Sequence, residues 1–85
     1  MKNFTFNIRW KEELDGFVDG HRFTVDITMG SLHVYFPNEV TWERDAPDWA
    51  KGIWPEASDA AARWATGQSI PFDIDDRAWV SFAKE

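Results

Sequence analysis

Arg22-Phe-Thr-Val-Asp-Ile-Thr-Met-Gly-Ser-Leu-His-Val-Tyr-Phe-Pro37 is the stretch that decides the fold. Apolar and polar residues alternate on both sides of Gly30-Ser31. A two-residue connection that begins with Gly suits a type II′ or I′ turn, whose twist matches a pair of antiparallel strands. With Gly30 and Ser31 as the turn, Met29 stands opposite Leu32, Ile27 opposite Val34 and Val25 opposite Phe36, with Phe23 one step further on the same face. The reverse face then carries Thr28 opposite His33 and Asp26 opposite Tyr35. A slip of one residue would send every apolar side chain into water, so the register is strongly determined.

Outward from this hairpin, Asn3 to Trp10 also alternates, with Phe4, Phe6, Ile8 and Trp10 on one face, and predicts a strand. Lys11 to His21 holds two Asp-Gly pairs and is expected to be a polar connection, with Phe17 and Val18 extending the next strand or pinning the loop to the sheet. Beyond Pro37-Asn38, Glu39 to Arg44 is expected to be a short extended piece with Val40 and Trp42 on one side. Asp45-Ala-Pro-Asp48 has the composition of a helix start, with Asp45 as N-cap. Ala46, Trp49, Ile53, Ala57, Ala60 and Trp64 recur at helical spacing, but Gly52 and Pro55 predict a kink or break between them. The firm helix is Pro55 to Thr66, with Gly67 just past its end. Ser69 to Glu85 predicts two short strands around a turn at Asp75-Asp76-Arg77, the first confined by Pro71 to a sheet edge or its entry. The expected fold is therefore α+β in two layers: an antiparallel sheet of four to five strands, ordered β-β-β-α-β with a further strand, carrying one kinked or broken helix on one face.

Eighty-five residues make one domain spanning 1–85, with surface enough to bury a single small core. No cysteine is present, so neither a disulfide framework nor a thiolate metal site contributes. Six Trp and seven Phe must supply the burial instead. The alternation of the first ten residues is unlike a signal peptide or membrane span, which points to the cytoplasm. A formal charge of −6 and a pI near 4.7 argue against direct binding to nucleic-acid phosphates or an anionic membrane. A solvated acidic surface accounts for the same numbers.

Catalytic equipment is sparse. Four Ser residues lie in turn, helix or strand contexts without a nucleophile elbow. The nearest thing to a catalytic set is His33 with Asp26 and Tyr35 on the polar face of the hairpin. Asp73-Ile-Asp-Asp76 is the densest acidic run, yet it lacks the Gly and Glu positions of a calcium loop, and a solvated turn explains it equally well. No cofactor and no metal are expected. Among the Trp residues, Trp10, Trp49 and Trp64 fall in core-facing registers, whereas Trp42, Trp54 and Trp79 exceed what a small core obviously hides. Trp42-Glu43-Arg-Asp45-Ala-Pro-Asp48-Trp49, followed by Lys-Gly-Ile-Trp54, therefore suggests a contact surface of indoles beside acids. The competing account of that segment is a helix entry locked by aromatic packing.

These observations lead to a small acidic protein-binding module that occludes a partner's surface. An inhibitor, an immunity or anti-defence factor and an adaptor all fit, and the partner surface could be basic and nucleic-acid-binding. Trp42, Glu43, Asp45, Asp48, Trp54, Asp26, His33 and Tyr35 are the candidate contact residues. Two alternatives stand behind it: a small-ligand or carbohydrate-binding module using exposed Trp faces, and an enzyme built on His33, Tyr35 and Asp26. A homodimer burying Thr24, Thr28, His33 and Tyr35 is also compatible with the pattern.

Overall fold

A computed structural model describes residues 3–10 and 12–83, with the backbone only for Trp10. Strands β1 (Phe4–Trp10), β2 (Glu13–Val18), β3 (His21–Thr28) and β4 (His33–Pro37) are followed by helix α1 (Glu39–Asp45) and a 3-10 turn (Asp48–Ala50). Helix α2 (Trp54–Gly67) and strands β5 (Phe72–Asp75) and β6 (Val80–Phe82) complete the order. The fold is α+β with two helices against a six-stranded sheet of order β1-β2-β3-β4-β5, β6 pairing with β3.

The sheet is mixed rather than antiparallel. β1 through β4 are antiparallel neighbours, but β5 runs parallel to β4, with Val34 opposite Phe72 and Phe36 opposite Ile74. The reason lies in the intervening helices: α1 and α2 carry the chain across the sheet, so it re-enters in the direction it left. Pro71 sits just before β5, where its carbonyl accepts the Val34 amide at 2.9 Å, and β5 is an edge strand as Pro71 requires.

Residues expected to form a polar connection include β2. The Asp19-Gly20 pair does make the tight turn, with φ of 51° and 80°, the left-handed values of a type I′ hairpin between Val18 and His21. Asp15-Gly16 does not. Gly16 lies inside β2 opposite Phe23, whose ring packs where a Cβ would stand.

The central hairpin keeps the expected register, with Ile27 opposite Val34 and Asp26 opposite Tyr35. Pairing ends at Thr28–His33, however, and Met29 and Leu32 form part of a longer turn, each 39% exposed. Val25 faces Val80 of β6 instead of Phe36, because β4 and β6 divide one edge of β3 between residues 26–28 and 23–25.

Glu39 to Arg44 is helical, not extended. The Asn38 side chain accepts the Thr41 amide at 2.8 Å and caps α1, which turns Trp42 fully into the core and leaves Val40 77% exposed. Asp45 thus closes α1 rather than capping a later helix, and Pro47 precedes the 3-10 turn. The expected break appears at Gly52, with φ +78°, and α2 starts at Trp54 with Pro55 in its first turn. Gly67 is the last helical residue and Ser69 takes the left-handed conformation. The buried stripe runs through Ala50, Ile53, Ala57, Ala61 and Ala65, one step away from the expected Trp49, Ala60 and Trp64, which are half-buried at its flank. These small residues share one core cluster with Leu14, Phe23, Val25, Ile27, Val34 and Phe36 of the sheet's inner face. The expected core orientation of Trp10 lies outside the described side chains.

Candidate site on the open face of the sheet

Because strand side chains alternate, the positions that bury Phe23, Val25 and Ile27 beneath the helices push Thr24, Asp26 and Thr28 to the opposite face. Tyr35 of β4 is flanked there by Asp26 across β3 and by Asp73 across β5. Two residues back on β4, His33 lies flat against Tyr35 with ring centroids 4.3 Å apart and planes 10° from parallel. Its Nε2 meets Asp73 Oδ2 at 2.7 Å. This contact fixes the imidazole between an aromatic ring and a carboxylate that is itself 66% exposed.

Beside Tyr35, the residues Asp26, Asp75, Arg77 and Ala78 line a shallow cleft of about 220 Å³. Asp75 Oδ1 accepts the Arg77 amide at 2.8 Å, which shapes the turn after β5. Asp26 has no comparable donor among the described residues. Its carboxyl is held above the usual carboxylate value of 3.8, first by burial and then by the negative charges of Glu12 and Asp75. The face thus gathers carboxylates around Tyr35, with Arg77 the one cation among the described residues that line the cleft. Two large apolar side chains share its surroundings: Phe17 on β2 is 39% exposed, and Trp79, just before β6, is 40% exposed.

Asp26, His33 and Tyr35, expected together from the hairpin register, are indeed on one face, although His33 bonds Asp73 rather than Asp26. The helical half of the expected surface does not join them. Trp42 is fully buried, its Nε1 donating to the Ala50 carbonyl at 2.8 Å, so it has no surface to offer a partner. Trp54 is half-buried and donates to the Pro37 carbonyl at 2.8 Å. Glu43 accepts the Gly52 amide at 2.9 Å, a bond that ties α1 to the bend before α2. Asp45 and Asp48 are exposed, Asp45 lying 3.5 Å from the Arg44 guanidinium. Aromatic packing at a helix entry therefore accounts for Trp42. Trp49 likewise packs edge-on to Phe82 and stacks on His21 at 4.5 Å.

Asp73, Asp75, Glu12 and Trp79 were not singled out as contact residues by sequence reasoning. A signal existed for two of them: Asp73 and Asp75 alternate with Phe72 and Ile74, which places both acids on one strand face. Thr24, expected at a dimer surface, is only 6% exposed and its hydroxyl is engaged by Asp15. Among the described residues no group of three or more His, Asp or Glu side chains is arranged to hold a metal ion. No described helix is long and apolar enough to cross a membrane.

Fold and face together define a small α+β protein with a helix-covered core and an acidic, aromatic sheet face left open. No family model, no curated protein and no solved structure matches the chain.

Proposed function

We propose that the protein is a binding module that covers a basic patch on another protein with the open face of its sheet. The observation that carries this reading is the cleft on the open face, where Asp26 and Asp75 stand beside the Tyr35 ring. Burial raises the Asp26 pKa first, and the repulsion of the Glu12 and Asp75 carboxylates adds to it. A lysine or arginine brought to the cleft would relieve that repulsion while stacking on Tyr35. Trp79 and Phe17 at the margins supply the apolar contact that electrostatics alone lacks. An inhibitor, an immunity or anti-defence factor or an adaptor acting in the cytoplasm would all use such a face, and a partner that itself binds nucleic acid would meet acids standing in for phosphates. Against catalysis, Thr28 donates to the Ser31 carbonyl at 2.8 Å and Thr24 to Asp15 at 2.7 Å, which leaves the Tyr35 phenol as the hydroxyl beside His33 and Asp26.

The test is titration of isotope-labelled protein with short Lys- and Arg-rich peptides containing one aromatic residue, followed by amide shift mapping at two salt concentrations. Shifts confined to Asp26, His33, Tyr35, Asp75 and Trp79, lost at high salt and lost in Asp26→Lys/Asp75→Lys, are expected. Shifts centred on Glu39 to Asp48, or binding indifferent to salt, would overturn the assignment of the face.

A further inference from the structure

The two outer strands of the sheet are built differently. β5 is four residues long, preceded by Pro71, and carries Asp73 and Asp75, the usual devices that discourage strand pairing. β1 has seven residues, no Pro and no charged side chain on its inner face, where Phe4, Phe6 and Ile8 are only partly buried. Among the described residues it pairs with β2 alone, so its other edge presents unpaired amides and carbonyls. Above that edge lies a groove of about 740 Å³ between β1 and α2, lined by Phe4, Phe6, Ala60 and Trp64, with Glu56, Asp59 and Arg63 along its rim. Trp64 leans on Phe6 with centroids 5.9 Å apart at the floor of the groove.

We propose that two copies of this chain pair through β1, antiparallel and about a two-fold axis, to form one continuous sheet across the dimer. The occupant of the groove is then the same stretch that borders it. In a register centred on Phe6, Phe4 meets Ile8 and Thr5 meets Asn7; in one centred on Asn7, Phe6 meets Ile8 and Thr5 meets Arg9. In both, apolar side chains fill the two grooves and no like charges oppose each other. An axis normal to the sheet also reverses the direction of α2 between copies. Glu56, which has no partner among the described residues, then faces the Arg63 end of the other helix, whose guanidinium pairs with Asp59 of its own helix and would be shared with the incoming Glu56. This interface is separate from the open acidic face, which it leaves free.

Native mass measured by sedimentation equilibrium from micromolar to near-millimolar protein tests the pairing. Wild type is expected to rise from 9.9 kDa to twice that value. Thr5→Lys/Asn7→Lys places lysines opposite lysine or Arg9 in each register, on side chains exposed to solvent, and is expected to stay at the lower mass with an unchanged circular dichroism spectrum. Glu56→Arg and Arg63→Glu should each weaken the dimer several-fold, and their combination should restore it. A wild type that remains at 9.9 kDa throughout, a lysine variant that dimerises like wild type, or a charge swap without restoration would each overturn the proposal.

Discussion

The Thr24 hydroxyl donates to Asp15 Oδ1 at 2.7 Å, and both residues are almost wholly buried although they belong to the face of the sheet that carries no helix. Arg9 Nε approaches the other Asp15 oxygen at 3.2 Å, so the carboxylate is held from two sides. A buried acid deprived of a donor bears its desolvation cost uncompensated. Thr24→Val is therefore expected to lower stability by about 1.5–3 kcal/mol, the range for hydrogen bonds to charged groups. Thr24→Ser, which keeps the hydroxyl, should recover most of that loss in urea unfolding.

At Asp26 the sign is reversed. A native pKa above the unfolded value of 3.8 means the folded state binds a proton more readily, so this group's contribution turns unfavourable as pH rises from 3.8 through the native value. Asp26→Asn should raise the melting temperature at neutral pH, by an amount equivalent to at most about 0.5 kcal/mol at a site only partly buried. The advantage should shrink on acidification and vanish below 3.8, where the wild-type carboxyl is protonated in both states. Thermal melts of both proteins across pH check this. A variant no more stable than wild type at neutral pH would refute it.

Trp42 meets Phe23, Phe36 and Phe82 at centroid distances of 5.0, 5.6 and 4.9 Å and is fully buried. Trp42→Ala should cost about 3–5 kcal/mol, enough to unfold much of a domain this small. Trp42→Phe keeps most of the packing but removes the indole donor from the Ala50 carbonyl, which retains only the longer bond from the Ile53 amide at 3.4 Å, at about 1–3 kcal/mol. Guanidinium unfolding of the two variants should rank them in that order.

A methyl group at Gly16 would overlap three ring atoms of Phe23, itself fully buried and boxed in by Phe6 and Phe36. Gly16→Ala should destabilise by about 1–3 kcal/mol, as overpacking does, and outweigh the entropic gain Ala ordinarily brings. Its companion Gly16→Ala/Phe23→Leu should be less destabilised than the sum of the single changes, because both act on one contact.

Asn38 caps α1 through Oδ1 and, through Nδ2, donates to Asp76 Oδ1 at 3.0 Å, linking the helix start to the turn after β5. Asn38→Ala should cost about 1 kcal/mol, and Asn38→Asp less, since a carboxylate still caps although it would then repel Asp76. Raised salt should narrow the difference between wild type and Asn38→Asp.

Period-two alternation carried the strands that bury one face and wet the other, which is why the Ile27–Val34 register and the companionship of Asp26, His33 and Tyr35 could be read from residues alone. Where local chemistry was ambiguous, tertiary contacts decided. Asp15-Gly16 has the composition of a turn, but Gly16 serves to admit the Phe23 ring. Val40 and Trp42 are two apart, as in a strand, but the Asn38 cap sets a helix in which they point in different directions. The parallel pairing of β5 with β4 depends on how far α1 and α2 carry the chain, a distance no residue pattern encodes. The acidic side of the site was hidden for the same reason, since Glu12 and Asp75 meet Asp26 only once β2 and β5 are in place.

β4 and β6 share one edge of β3, and Phe82 rests against both Trp42 and Trp49. Half of the slot beside the central strand thus stays vacant until residues 80–82 have been synthesised and have left the ribosome. The nascent chain can stack its early hairpins but not close its interior, and it must hold its indoles away from other hydrophobic surfaces until β6 arrives. A premature stop after Arg77 would accordingly strip the wall from a room already furnished, and yield a species handled by chaperones and proteases instead of a shortened but working protein.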